Sequence, residues 1–394
     1  MKKTFTRSAL MGVLLAGLVA TTGCSAITTA TDAKPAGDGA AATSSCPKKI
    51  DAKALQPATP VGLSPRGKAP SSPEVAELTA EDTAKLKTSH FKVGIAMQTA
   101  DIDYTTILVR AMKRTFAENN VEVVAVTDGG WNVTKQQTDI QNIIQLKPDG
   151  ILSVPTDSVG MASTYKTVSQ AGIKLITLDD MPPGLEWPKE VATSSGMDQK
   201  GMGQIAMAVL AQCIPKGGTV GMVKIDIVLW AANQRDEGAI AWLKRERPDI
   251  KLKTVGVANP KDVEQKASDF VTANPDLQGL WTPWDGPGLQ ALAGLRGLSK
   301  NIPVTTQDLG TEFAMNVAQG SQLIGGGAQE LDAQGRTHAL AMIKVLLGDK
   351  MPEYIAHPAL VVTKDNLSAA WKQVWGSAPP ADLAKACKAT PGCN

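Results

Sequence analysis

The sequence predicts an α/β protein of two doubly wound parallel-sheet lobes. From Phe91 onward, short apolar runs of strand length alternate with segments whose apolar residues recur at helical period, as in a parallel sheet covered by helices on both faces. The pattern restarts in mid-chain, and the roughly 300 residues involved exceed what one core of ordinary domain size holds.

The first strand is "FKVGIAM", and in the helix after it Ile107, Leu108, Ala111, Met112, Thr115 and Phe116 recur on one face. "VEVVAVTD" is the second strand, followed by a helix carrying Ile140, Ile143 and Ile144. "PDGILSVPTD", a helix over about 159–170 and "GIKLITLDD" complete the first half. After "SSGMD" come a helix over about 200–213, the strand "GTVGMVKID" and a helix over about 236–247. "IKLKTVGVA", a helix over about 263–273, "GLWTPWD", "IPVTTQD" and "SQLIGGGAQE" follow, then a helix over about 334–347. "LTAEDTAKLK" reads as a short leading helix and "SAAWKQVW" as a trailing one.

The chain ends carry a different signal. Lys2, Lys3 and Arg7 precede an apolar run from Ala9 to Ala20, too short to span a bilayer and laid out like a secretory signal peptide over 1–23. Cys24 directly after Gly23 resembles the lipobox of bacterial lipoproteins, which implies lipid attachment at that thiol, although Thr21 stands where leucine is usual. Residues 24–89 are expected to form a lipid-anchored tether ending in the short leading helix, and 376–394 an extension with two cysteines. The stretch 25–45 is small and polar, with a reach of roughly 25 Å as a flexible chain. Absence of a second long apolar segment predicts a water-soluble body held at a membrane only through lipid. Cys46, Cys213, Cys387 and Cys393 allow three complete pairings. A bond joining the two extensions is favoured, with Cys213 a buried thiol.

A formal charge of +2 with interspersed signs implies neither nucleic acid nor a strongly charged partner. In parallel sheets, ligands bind outside the carboxyl ends of the strands, so two facing lobes would line one cleft with their strand-end loops. Strand alternation sends the adjacent acids Asp179 and Asp180 to opposite faces, so they need not share a pocket.

"VGIAMQTADIDYTTILVRAMK", "TKQQTDIQNIIQLKPDGILSVPTDS" and "AGIKLITLDD" resemble, in order and spacing, the ribose-binding-protein-like family of type I substrate-binding proteins of sugar ABC transporters. "NQRDEG", "WTPWD", "TTQDLG" and "GGGAQE" extend the resemblance to about residue 362. It implies a three-segment hinge near 196–198, Gln329 and His357, dividing the body into 90–195 plus 330–357 and 196–329 plus 358–375. It also implies that Asp179, Arg235, Asp308 and Gln329 bind sugar hydroxyls. Two departures stand out: Asp180 where Arg is common, and Trp284 where Asn is common, which together remove donors and add an acid and a flat apolar face. Sugars need acceptors, donors and aromatic faces. Residue type and position add Asp101, Asp103, Tyr104, Asp180, Trp230, Trp284 and Asp285 to the candidates.

The expected ligand is thus a sugar or sugar alcohol, or even a cation given the excess of Asp, passed by a monomer to ABC permease subunits in the membrane. The Asp101–Asp103 pair lacks the further ligands of a calcium loop, so neither a metal nor another cofactor is expected. Three histidines outside any zinc pattern, and no nucleophile elbow, argue against an enzyme. A receptor for a signalling molecule is the main alternative, whereas a DNA-binding regulator would need a helix-turn-helix where the export signal stands.

Overall fold

The computed structural model of the chain describes residues 46–64, 66–226 and 229–393. The predicted signal segment, Cys24 and the stretch 25–45 lie outside them. Asp51 caps α1 (Ala52–Leu55) by accepting from the Lys53 and Ala54 amides, and Thr79 and Asp82 form a reciprocal capping box on α2 (Ala80–Leu86). The tether expected over 24–89 does not extend through this part. Gln56 bonds the main chain of Ala359 and Val361, the Val61 and Gly62 amides donate to Asp198, and Ser71 bridges to Ile355. Ile50, Ala76 and Leu86 are buried, which anchors the segment against the body.

The first sheet is wound from β1 (Lys92–Met97), α3 (Asp103–Glu118), β2 (Glu122–Asp128), α4 (Val133–Gln145), β3 (Gly150–Ser153), α5 (Ala162–Gln170), β4 (Lys174–Leu178) and β5 (Thr193–Met197). The chain then crosses into α6 (Gln199–Ala211), β6 (Thr219–Ile225), α7 (Trp230–Glu246), β7 (Lys251–Val257) and α8 (Val263–Ala273). β8 (Leu280–Trp281), α9 (Asp285–Gly297), β9 (Val304–Gln307), α10 (Thr311–Ala318) and β10 (Leu323–Ala328) continue the second sheet. A second crossing leads to α11 (Leu331–Leu346) and β11 (Tyr354–His357), which return to the first sheet. A third leads to β12 (Leu360–Thr363), α12 (Leu367–Trp375) and α13 (Ala381–Ala389). The sheet orders are β11-β5-β4-β3-β1-β2 and β12-β10-β9-β8-β6-β7. All neighbours are parallel except β12, which runs antiparallel to β10.

The inner strands of each sheet are buried on both faces, as is usual in parallel sheets, while the edge strands β2 and β7 stay half-exposed. Ile140, Ile143, Ile151 and Tyr165 pack one face of the first sheet, and Leu210, Met222, Leu243 and Trp281 one face of the second. A fully buried Ile or Leu contributes about 1.5–3 kcal/mol.

Helix α7 begins at Trp230, about six residues before the expected start, because "WAAN" is helix-compatible and Ala232 is buried. Arg235 therefore lies in the second turn, not at the helix start. The crossing of α6 with α7 is close enough to demand glycine on both sides. A Cβ on Gly203 would sit 1.8 Å from the Arg235 carbonyl oxygen, and one on Gly238 2.0 Å from that of Lys200.

The cysteines pair differently from the expectation. Cys46 bonds Cys213, with Cα atoms 4.0 Å apart, and Cys387 bonds Cys393 at 5.0 Å. The N-terminal segment runs back along α6 and meets its end, while a turn after α13 folds Cys393 onto Cys387.

Candidate functional site

The carboxyl ends of the strands in the two sheets line one cleft with a cavity of about 130 Å³. Gln98 follows β1, Trp131 follows β2, Val154 and Pro155 follow β3, Asp179 and Asp180 follow β4, and Gln199 follows β5. From the second sheet come Leu229, Ala232 and Arg235 after β6, Trp284 and Asp285 after β8, Asp308 after β9 and Gln329 after β10.

Asp179 and Asp308 occupy matching places, each one residue beyond the second strand in from its sheet's hinge-side edge strand β11 or β12, and one beyond β4 and β9 respectively. Both have left-handed backbone, φ 55° and 71°. That conformation costs an L-residue about 1–2 kcal/mol and is tolerated best by Asn and Asp. It also breaks strand alternation, so Asp179 and Asp180 both line the cleft instead of diverging.

The carboxylate of Asp179 accepts from the Tyr104 hydroxyl, from Gln334 Nε2 at 2.9 and 3.1 Å, and from Gln199 Nε2 at 3.3 Å. Gln199 Oε1 in turn accepts from Arg235 Nε at 2.7 Å. The Arg235 guanidinium reaches the Pro283 carbonyl at 2.9 Å and Asp308 at 3.1 and 3.4 Å, and Gln329 Nε2 donates to Asp308 at 2.8 Å. One continuous hydrogen-bonded chain therefore runs from Asp179 in the first lobe to Asp308 in the second. Gln199, one of its two inner links, sits at the crossing between β5 and α6.

Burial dominates the electrostatics. It pushes Asp179 up to about 6, against the Tyr104 bond and the Arg235 charge. Asp180, which accepts from the Ser158 hydroxyl and from the Met181 amide at 2.6 Å, is likewise pushed up to about 6. Asp285 stands at the start of α9, accepting from the Gly286 and Gly310 amides at 2.9 and 3.1 Å. Burial, reinforced by the Asp308 charge, raises it to about 7. Tyr104 is held well above its ordinary value by burial and by Asp179.

Of the residues singled out in the sequence, Asp103, Tyr104, Asp179, Asp180, Arg235, Trp284, Asp285, Asp308 and Gln329 line the cleft. Two do not. Asp101 is exposed in the loop before α3, where its amide, not its carboxylate, is used in the turn. Trp230 packs edge-on against Tyr354, ring centres 6.4 Å apart, at the hinge side of the molecule. Asp103 accepts from the Thr311 amide at 2.7 Å across the lobes, so it does not pair with Asp101 around an ion. Gln98, Trp131, Gln199 and Gln334 escaped the sequence reading. Trp131 stands at a strand end and was open to the same reasoning; the glutamines earn their place only through the folded geometry.

Residues 93–350 match a family model described as a periplasmic binding protein domain. Among curated proteins, the chain is 23% identical over 278 residues to the ribose import binding protein RbsB of Bacillus subtilis, covering 70% of this chain and 88% of that one. It is 27% identical over 270 residues to the xylitol-binding protein of Mycolicibacterium smegmatis, covering 65% and 72%. Among solved structures, an ABC transporter solute binding protein from Mycobacterium smegmatis with bound glycerol superposes with a TM-score of 0.64 at 25% identity, covering 71% of this chain and 96% of that one. Two wound lobes, a cleft at their strand ends and a family match over most of the chain place it in the periplasmic binding protein family, as a ribose-binding-like type I member related to the solute-binding proteins of sugar ABC transporters.

Proposed function

We propose that this protein captures a small hydroxylated ligand, a monosaccharide or sugar alcohol, between its lobes and presents it to ABC permease subunits. The observation that carries this reading is the convergence of acids, amides, one arginine and two tryptophans from both sets of strand ends on a single small cleft. Carboxylates and amides suit hydroxyl groups, and Trp131 and Trp284 offer faces for C–H surface. A dry cavity of about 150 Å³ holds benzene, so 130 Å³ suits a single short polyol or ring and not a disaccharide. The ribose- and xylitol-binding relatives are consistent with that size.

The mechanism is hinge closure. A ligand touching both lobes binds the closed arrangement better than the open one and shifts the population toward it by that difference. The bodies that move are 90–195 with 330–357, and 196–329 with 358–375. Hydrogen bonds to charged groups contribute about 1.5–3 kcal/mol each, and micromolar affinity corresponds to about 8 kcal/mol, so a handful suffices before the cost of association. Export by the signal segment and lipidation of Cys24 would hold the receptor beside its permease.

Isothermal titration against pentoses, hexoses, inositols and linear polyols tests the ligand. At least one should bind with micromolar affinity or better, and the absence of heat or melting shift with every member would end the reading. For anchoring, Cys24→Ser should release the protein from membranes and abolish incorporation of labelled fatty acid.

A further inference from the structure

The cleft has an unequal supply of hydrogen-bonding groups. Among the described residues, five carboxylates, Asp103, Asp179, Asp180, Asp285 and Asp308, line it against one guanidinium, Arg235, and no lysine. Most of the protein donors are committed: Arg235 to Gln199, Pro283 and Asp308, Tyr104 to Asp179, and the Gln199 and Gln329 amide nitrogens to Asp179 and Asp308. Among the described lining side chains, the Trp131 and Trp284 indoles and the Gln98 amide are left to donate to a ligand. An independent observation points the same way. Gln329, 1% exposed, has no partner for Oε1 among the described residues, and its orientation is fixed because Nε2 faces a carboxylate that can only accept. Gln98, 4% exposed, has no partner for Oε1 among the described residues, and no hydrogen bond fixes which way its amide faces, so it can meet a ligand donor or acceptor. Both residues line the cavity. Leaving a buried acceptor unmade costs about 1–3 kcal/mol, so the ligand is the natural source of the missing donors.

A hydroxyl supplies one donor along with two acceptor lone pairs, for which this cleft has few free donors. A protonated amine supplies three donors, no acceptor and a positive charge. We propose that the ligand of this cleft is an amino-substituted polyol or sugar, its ammonium held among the carboxylates and its hydroxyls on the remaining groups. This rests on the reading of the cleft as a sugar or polyol site and narrows it. Asp285 and Asp180 are the nearest match for the ammonium. Asp180 is buried and Asp285 half-buried, and each takes two bonds from the described residues, leaving part of its accepting capacity for the ligand, whereas Asp179 and Asp308 are occupied by protein donors. Burial has pushed both toward neutrality, and an adjacent cation is what restores the charged form.

Matched pairs differing only in hydroxyl or ammonium test the inference: glucose and glucosamine, galactose and galactosamine, sorbitol and 1-amino-1-deoxysorbitol, glycerol and 2-amino-1,3-propanediol. Titration calorimetry on the full chain at neutral pH should show the amine of at least one pair binding about tenfold or more tighter than its partner. In Asp285→Asn and Asp180→Asn proteins, with melting curves confirming that they fold, that ratio should shrink toward one. Neutral members binding as tightly as the amines would overturn the inference and leave the sugar reading standing. Heat from simple alkyl diamines but from no hydroxylated compound would instead overturn the sugar reading, and silence from every compound would overturn both.

Discussion

Asp179 shows how much one residue is asked to do. Its left-handed backbone, its burial and its bonds to Tyr104, Gln334 and Gln199 fix a carboxylate at the meeting point of strand end, α3 and the hinge. Asn tolerates the same backbone, so Asp179→Asn should fold, yet it turns an amide toward groups that themselves donate. We expect at least about a tenfold loss of affinity for the ligand found by titration, and a smaller loss for Asp180→Asn; equal and negligible losses would remove Asp179 from the site. The raised carboxylates also set a pH dependence. Asp179 and Asp180 near 6, and Asp285 and Asp236 near 7, bind protons more tightly folded than unfolded, where Asp titrates near 4. Their stabilisation is complete below about pH 4 and is lost as pH rises toward 7. Buried His338, depressed to about 3, acts oppositely, since it loses stability as pH falls below its unfolded value of 6.5. Four carboxylates outweigh one histidine. The ligand-free protein should therefore melt higher near pH 5 than near pH 7, and a melting temperature that stays level or rises from pH 5 to pH 7 would refute the assignment.

At the scale of elements, the sequence was most legible where side chains are large. The helical stripe of α3 and the runs of β1, β3 and β4 could be read directly, and so could the acids just beyond strand ends. Strand β5, "TSSGM", could not: its Ser194 and Ser195 are buried, but they satisfy themselves on the Asp180 carbonyl and His338, partners far away in sequence. Gln199 and Gln334 were invisible for the same reason, because hinge crossings bring them to Asp179 only in the fold. Asp101 was over-read, since an acid in a turn before a helix looks alike whether it faces a cleft or water. The glycines at the α6–α7 crossing carry a consequence for function. Gly238→Ala forces α7 away from the Lys200 carbonyl and displaces Arg235, one turn earlier on the same helix. We expect about 1–3 kcal/mol lost in chemical denaturation and weaker ligand binding together. A variant as stable and as tight as the parent would show that the crossing can relax.

For the molecule as a whole, one contact that spans the two lobes at the cleft is a helix cap supplied from the opposite lobe. Asp103, in the first turn of α3, accepts from the amide of Thr311, the first residue of α10. Opening the lobes exposes that amide to water and surrenders the cap. A cap of this kind contributes about 0.5–2 kcal/mol, which should retard ligand release about 2- to 30-fold. Asp103→Ala tests this but also alters the charge of the cleft. Thr311→Pro separates the two effects. Proline is accommodated at the first position of a helix, and the preceding Gly310 already has the extended backbone, φ −72° and ψ 169°, that a residue before proline adopts. The substitution deletes the donor and sets the ring Cδ where the amide hydrogen pointed, so it breaks this contact without changing the charge of the cleft. Stopped-flow release should accelerate similarly in both variants, with little change in the melting of the ligand-free protein. If Asp103→Ala alone accelerates release, the carboxylate acts on the ligand and the lobes close without this latch.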